Sequence, residues 1–222
     1  MSKRPIIFHL ADSSMERGLK AFFGRDDWHF ALKAGPFEID PEEDFFQDPN
    51  HTDGGVWKHA HINLRPYIES HEKAVIVLDE DFDPYPSADQ IREDITQNML
   101  REGWTEDRFE VVVIEPMLEA WLWADNLNVA QAFGCNSFEQ LQQPLINKGL
   151  WVPGEAKPNR GDLKKAKTVA LKLGKTKLSG SPFPKLFRLL SSRALDSCQE
   201  PSFQQMRAKL QAWFPLQTGG AA

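Results

Sequence analysis

The sequence predicts an α/β fold with a mainly parallel central sheet flanked by helices, followed by a helical C-terminal region. Three observations predict it. Short apolar runs at residues 5–10, 73–78 and 109–114 alternate with stretches of helical spacing across the first 125 residues. The run at 73–78 is continuously apolar after Lys73, as in a strand buried on both faces of a parallel sheet. Beyond residue 125 no comparable strand run occurs, while apolar residues keep recurring at helical spacing. The chain therefore divides into an α/β domain over 1–125, a basic helical region over 126–218 and a short disordered tail over 219–222.

The elements follow in order. Pro5-Ile6-Ile7-Phe8-His9-Leu10 reads as a buried strand. Asp12-Ser13-Ser14 supplies helix N-cap chemistry, and Met15, Leu19, Phe22 and Phe23 share one helical face. Residues 28–32 read as a second strand, residues 36–56 as a long acidic surface loop, and residues 57–71 as a helix weakened by Pro66. The clearest strand is Lys73-Ala74-Val75-Ile76-Val77-Leu78, which runs straight into Asp79-Glu80-Asp81-Phe82-Asp83. Ser87 can cap a helix that carries Ile91, Ile95 and Met99 on one face and stops at Gly103. Residues 109–114 form a last strand, followed by Glu115-Pro116 and a helical run over 117–125. Helices are expected at 138–145, 163–173, 184–195 and 202–214.

Composition narrows the function classes. With 41% hydrophobic residues the 222-residue chain can build a core. No apolar run approaches the roughly 20 residues of a membrane span. The N-terminus lacks a signal-peptide layout, so no membrane partner is expected and the cytoplasm is the expected location. Cys135 and Cys198 have no metal-ligand spacing, which excludes a thiolate zinc site. There is no P-loop sequence. His59, His61 and His71 read as structural or exposed rather than ligating, and Trp121 reads as core more than as a base-stacking surface.

Three predicted strands run into acid. The first is followed by Asp12 and Glu16, the third by Asp79, Asp81 and Asp83, and the fourth by Glu115 and Glu119. In open α/β sheets, ligand sites lie outside the carboxyl ends of the strands. Alternating residues of an extended stretch point the same way, which aims Asp79 and Asp81 together. Glu115 and Glu119 share a face if a helix starts at once. Converging carboxylates repel one another, and a hard divalent cation such as Mg²⁺ or Mn²⁺ relieves that repulsion. Such a site can activate water and stabilise phosphoryl-transfer charge. An EF-hand is excluded: Pro84 stands where the loop glycine belongs and Gln90 where the bidentate Glu belongs.

These segments resemble the TOPRIM domain of topoisomerases, primases, recombination-repair proteins and overcoming-lysogenization-defect nucleases. Val77-Leu78-Asp79-Glu80-Asp81-Phe82-Asp83 looks like its Asp-x-Asp motif. Glu115-Pro116-Met117-Leu118-Glu119-Ala120-Trp121 is similar to the Glu-Pro-x-x-Glu-x-Trp signature of a small TOPRIM-like family of unknown function, encoded near bacterial restriction and phage-defence genes. The resemblance covers residues 5–125, and the C-terminal region more loosely. It implies a Mg²⁺- or Mn²⁺-dependent nuclease. Asp79 and Asp81 would hold metal, Asp12 would take the place of the TOPRIM glutamate, and Glu16 would assist. Asp83, Glu115 and Glu119 would be further ligands. One motif departs: Asp12-Ser13-Ser14-Met15-Glu16 stands where the family usually has Glu-Gly-x-x-Glu.

The charge is unevenly spread. Residues 1–150 hold 13 Lys+Arg against 28 Asp+Glu, a balance of −15; the remainder holds 13 against 4, a balance of +9. Lys157, Arg160, Lys164, Lys165, Lys167, Lys172 and Lys175 concentrate the positive charge. A nucleic-acid backbone, DNA or RNA, is the expected partner of such a surface. The competing reading is a basic face docked on an acidic one inside the molecule. Other defence-system proteins and a second copy of the chain are further partners the sequence allows. Two alternatives to the nuclease stand beside it: a non-catalytic nucleic-acid-binding or regulatory subunit, and metal-dependent chemistry on a small phosphorylated substrate.

Overall fold

The computed structural model describes residues 2–84, 86–123, 126–174 and 182–216. Among the described residues, four parallel strands form one sheet in the order β2-β1-β3-β4. They are β1 (Arg4–Leu10), β2 (Phe45–Gln47), β3 (His71–Asp79) and β4 (Phe109–Ile114). Residues 6–10 of β1 and 74–79 of β3 are buried without a break, because both central strands are covered on two faces.

After β1 the chain passes through α1 (Ser13–Phe23) and α2 (Trp28–Leu32) to the edge strand β2. It returns through α3 (Asp53–Leu64) to β3 and continues through α4 (Ala88–Glu102) to β4. Right-handed crossovers put α1 and α2 on one face and α3 and α4 on the other. The direction of winding therefore reverses between β1 and β3, which are neighbours. Their carboxyl ends form the switch point at which α/β sheets place ligand sites.

The remaining helices are α5 (Asn126–Ala132), α6 (Phe138–Asn147), α7 (Leu163–Leu173), α8 (Phe183–Leu189), α9 (Ser192–Ser197) and α10 (Pro201–Trp213). Helix α8 packs along α1, α9 against α2 and α10 against β4. One contiguous apolar core includes Ile6 of β1 and Leu210 of α10. Among the described residues no helix is long and apolar enough to cross a membrane.

The α/β class and the helical C-terminal region stand as expected, but several elements differ. Residues 28–32 form a helix, not a strand. Trp28, Ala31 and Leu32 are its buried residues, at helical spacing, and left-handed Lys33 (φ 57°) ends it. The true second strand, β2, lies inside the acidic stretch read as loop; three residues at a sheet edge give little periodic signal. Helix α3 starts earlier than expected, at Asp53, because the Thr52 hydroxyl accepts the Gly55 N–H at 3.0 Å. It ends at Leu64 in a short 3-10 turn over Arg65–Tyr67, and His71 already belongs to β3. The run after Pro116 is 3-10 over Leu118–Trp123 rather than α-helix. The helix expected over 184–195 is two, α8 and α9. The tail lies outside the described residues.

Arg207, only 6% exposed, ties α10 to two other elements. Its guanidinium donates to the Leu32 and Leu195 carbonyls, each at 3.1 Å, and to Asp196 Oδ1 at 2.6 Å. Arg207→Met removes the charged donor from both carbonyls, which keep only Gln211 on Leu32 at 2.7 Å and Gln204 on Leu195 at 3.3 Å. The expected loss is ~2–3 kcal/mol, read as a fall in Tm of about 5–10 °C. An unchanged Tm would show that these bonds are not holding α10 in place.

Candidate active site at the carboxyl ends of β1 and β3

Two apolar strands deliver the central acids. β1 ends at Leu10, Ala11 donates its N–H to the Val77 carbonyl at 3.1 Å, and Asp12 follows at once. Asp12 is the N-cap of α1, with Oδ1 accepting the N–H groups of Ser14 at 2.5 Å and Met15 at 2.9 Å. These bonds satisfy the helix terminus and hold the carboxylate at the switch point.

Asp79 is the last residue of β3 and is 8% exposed. Its N–H donates to Asp53 Oδ1 at 2.7 Å, and its own Oδ1 accepts the Leu118 N–H at 2.8 Å. It thereby joins the start of α3 to the segment after β4. That segment is fixed further by two backbone bonds: Glu80 N–H to the Ile114 carbonyl at 3.0 Å, and Asp81 N–H to the Pro116 carbonyl at 3.1 Å. Burial, then the charges of Asp53, Glu119 and Asp12, pushes the Asp79 carboxyl well above the usual carboxylate range. Asp53 is pushed up to about 6, chiefly by burial and also by the charge of Asp12.

Asp12, Asp53 and Glu119 thus all act electrostatically on Asp79, and Asp12 also acts on Asp53. Asp53 was not among the residues the sequence singled out. Its signal was there: Thr52 is a helix-capping residue immediately before an acid. The surrounding acidic composition hid it.

The other expected acids have cationic partners or lie exposed, and Glu119 has such a partner as well as its influence on Asp79. Glu16 pairs with Lys20 at 3.1 Å along α1, and Glu115 with Arg92 of α4 at 2.9 Å. Asp81 is half-exposed and pairs with Lys164 at 3.5 Å, while Asp83 is exposed in the next turn. Glu119 is 5% exposed and pairs with Lys167 of α7. Glu80, on the same loop, meets Arg160 at 3.4 Å.

The expected basic residues are therefore largely paired with acids, although Lys157, Arg160, Lys164 and Lys165 remain exposed. Arg160, Lys164 and Lys167 meet the acids that follow β3 and β4, and Lys157 pairs with Glu200. Lys165 pairs locally with Asp162 at 3.1 Å. Lys172 is exposed, and Lys175 lies outside the described residues. Trp121 and Trp123 are both buried, packed on Phe203 and Phe133 respectively. His71 sits at the opposite end of β3, 3.3 Å from the Asp44 carboxylate that also binds Arg4.

No family model, curated protein or solved structure matches the chain.

Among the described residues no three Asp, Glu, His or Cys side chains are gathered into a set that could hold a metal ion. The donor chemistry at the switch point nevertheless suits a hard divalent cation. The groups present are carboxylates, and Asp79 is buried near three further carboxylates that oppose its ionisation. Lys164 moderates the charge of Asp53 only as a lesser influence.

Because Asp53 titrates near 6 in the fold against 3.8 ordinarily, the native state holds a proton that the unfolded chain has released. This contribution is full below pH 3.8 and is lost as pH rises through about 6. Asp79 acts in the same sense. The protein in EDTA is expected to melt higher near pH ~5.5 than near pH ~8. At the higher pH Asp79→Asn, which keeps an oxygen for the Leu118 N–H, is expected to raise Tm by about 3 °C or more. Thermal melts of both proteins at the two pH values check this; a lower Tm for Asp79→Asn at high pH would contradict it.

Proposed function

We propose that the chain is a divalent-metal-dependent, TOPRIM-like nuclease that hydrolyses phosphodiesters, working in the cytoplasm in a prokaryotic anti-phage defence or restriction-linked system. The observation that carries the chemistry is the Asp79 carboxylate at the switch point, raised in pKa first by burial and then by the charges of Asp53, Glu119 and Asp12. Strongly perturbed carboxyls in such a place are candidates for catalysis. The link to defence rests on the resemblance of Asp79-x-Asp81 and Glu115-Pro116-x-x-Glu119-x-Trp121 to the TOPRIM-like family alone.

Asp79, Asp53 and Asp12 would hold Mg²⁺ or Mn²⁺, with Asp81 and Glu119 joining if their lysines release them. The bound ion supplies charge neutralisation and an activated water. Asp12 stands where the TOPRIM glutamate would serve as general acid/base or ligand. The Leu118 N–H orients Asp79, and the Asp79 N–H orients Asp53. Lys164 and Lys167 lie within salt-bridge reach of Asp81 and Glu119, where they can neutralise an incoming phosphate.

A second reading has its own support. Asp81 and Glu119, two expected ligands, already have lysine counterions. That arrangement suits a non-catalytic nucleic-acid-binding or regulatory subunit. Cleavage of single- and double-stranded DNA and RNA, titrated with Mg²⁺ and Mn²⁺, separates the two. The nuclease reading expects turnover that EDTA stops and that falls at least ~10²-fold in Asp79→Asn and Asp53→Asn. Nucleic-acid binding that persists in EDTA, with no turnover under either metal, would favour the subunit.

A further inference from the structure

A groove of about 600 Å³ opens between the end of α6 and α7, lined by Lys148, Leu150, Lys164, Lys165, Thr168 and Val169. Three of these six side chains are lysines and none is acidic. Lys148 and Lys165 are exposed at its rim. Lys148 has no carboxylate partner among the described residues. Lys165 meets only Asp162, with its side chain 74% exposed, so that pair is weak and readily exchanged. Leu150 and Val169 give the groove an apolar wall.

Lys164 belongs to two places at once. It lines this groove, and its Nζ lies 3.5 Å from Asp81 at the carboxyl end of β3. An anion seated in the groove is therefore one lysine away from Asp81, two residues beyond Asp79. Of the other predicted cations, Lys157, Arg160 and Lys167 are engaged with Glu200, Glu80 and Glu119, Lys172 is exposed on α7, and Lys175 lies outside the described residues.

We propose that this groove is the seat of a single-stranded nucleic-acid backbone, with Lys148, Lys165 and Lys164 on successive phosphates and the sugar faces on Leu150 and Val169. The proposal rests on the phosphodiesterase reading and adds the path of the strand. It also assigns a contact, Lys148, that lies outside the basic run of the sequence. Three lysines on one groove can neutralise the phosphates of one strand, and neutralising them releases counterions, which makes the binding salt-dependent.

The test is binding of a fluorescein-labelled single-stranded oligonucleotide, as DNA and as RNA, by anisotropy in EDTA. Cleavage then plays no part. Lys148→Gln and Lys165→Gln, both exposed substitutions, should each weaken binding about five- to tenfold and lower the salt slope by about 0.7. Lys58→Gln with Arg101→Gln, in the separate groove between α3 and α4, should leave binding unchanged. Wild-type affinity in the Lys148→Gln/Lys165→Gln double variant would overturn the groove, as would an equal loss in the Lys58→Gln/Arg101→Gln control. Displacement by poly-glutamate more readily than by unlabelled oligonucleotide would instead mark the groove as an acidic-protein site. Absence of oligonucleotide binding would overturn the groove while leaving metal-dependent turnover to be judged by the cleavage assay.

Discussion

The Asp79 carboxylate is buried at the end of a parallel strand, and three segments of chain are organised around it. Its N–H holds Asp53 at the start of α3, its Oδ1 holds Leu118 after β4, and Asp12 caps α1 beside it. A buried carboxylate among other carboxylates is costly to ionise. The fold concentrates that cost where β1 and β3 end side by side and the winding reverses. Such strain is typical of sites kept for binding or chemistry rather than for stability.

The second constraint is the meeting of the two oppositely charged parts of the chain. The segment from Arg160 through α7 lays Arg160, Lys164 and Lys167 against Glu80, Asp81 and Glu119. The Lys167–Glu119 pair is mostly buried, so breaking one side of it alone leaves a costly charge. The Lys164–Asp81 and Arg160–Glu80 pairs are more exposed and correspondingly weaker. The docked-face reading of the charge split is thus realised in these pairs. The same helix still presents Lys165 and Lys172 to solvent.

How much was legible in the sequence followed from the physics of each element. The strands β1, β3 and β4 were plain, because burial on both faces demands an unbroken apolar run. The edge strand β2 was not, since three residues carry no period. Residues 28–32 misled, because aromatic and aliphatic side chains suit a strand as well as a short buried helix. At the site, Asp12 and Asp79 were visible as acids directly following apolar runs. Asp53 was not, because its place depends on a long-range bond to the Asp79 N–H. Glu115 and Glu119 were expected to converge as i and i+4 on a helix. The segment instead takes 3-10 form, and Arg92 and Lys167 draw the two acids to different partners.

In the proposed function, the carboxylates around Asp79 bind a divalent cation. Calorimetric titration of Mn²⁺ into the wild-type protein and into Asp79→Asn tests it most directly. The account predicts saturable binding by the wild type that is lost in the variant. Equal binding by both proteins, or none by the wild type, would contradict it.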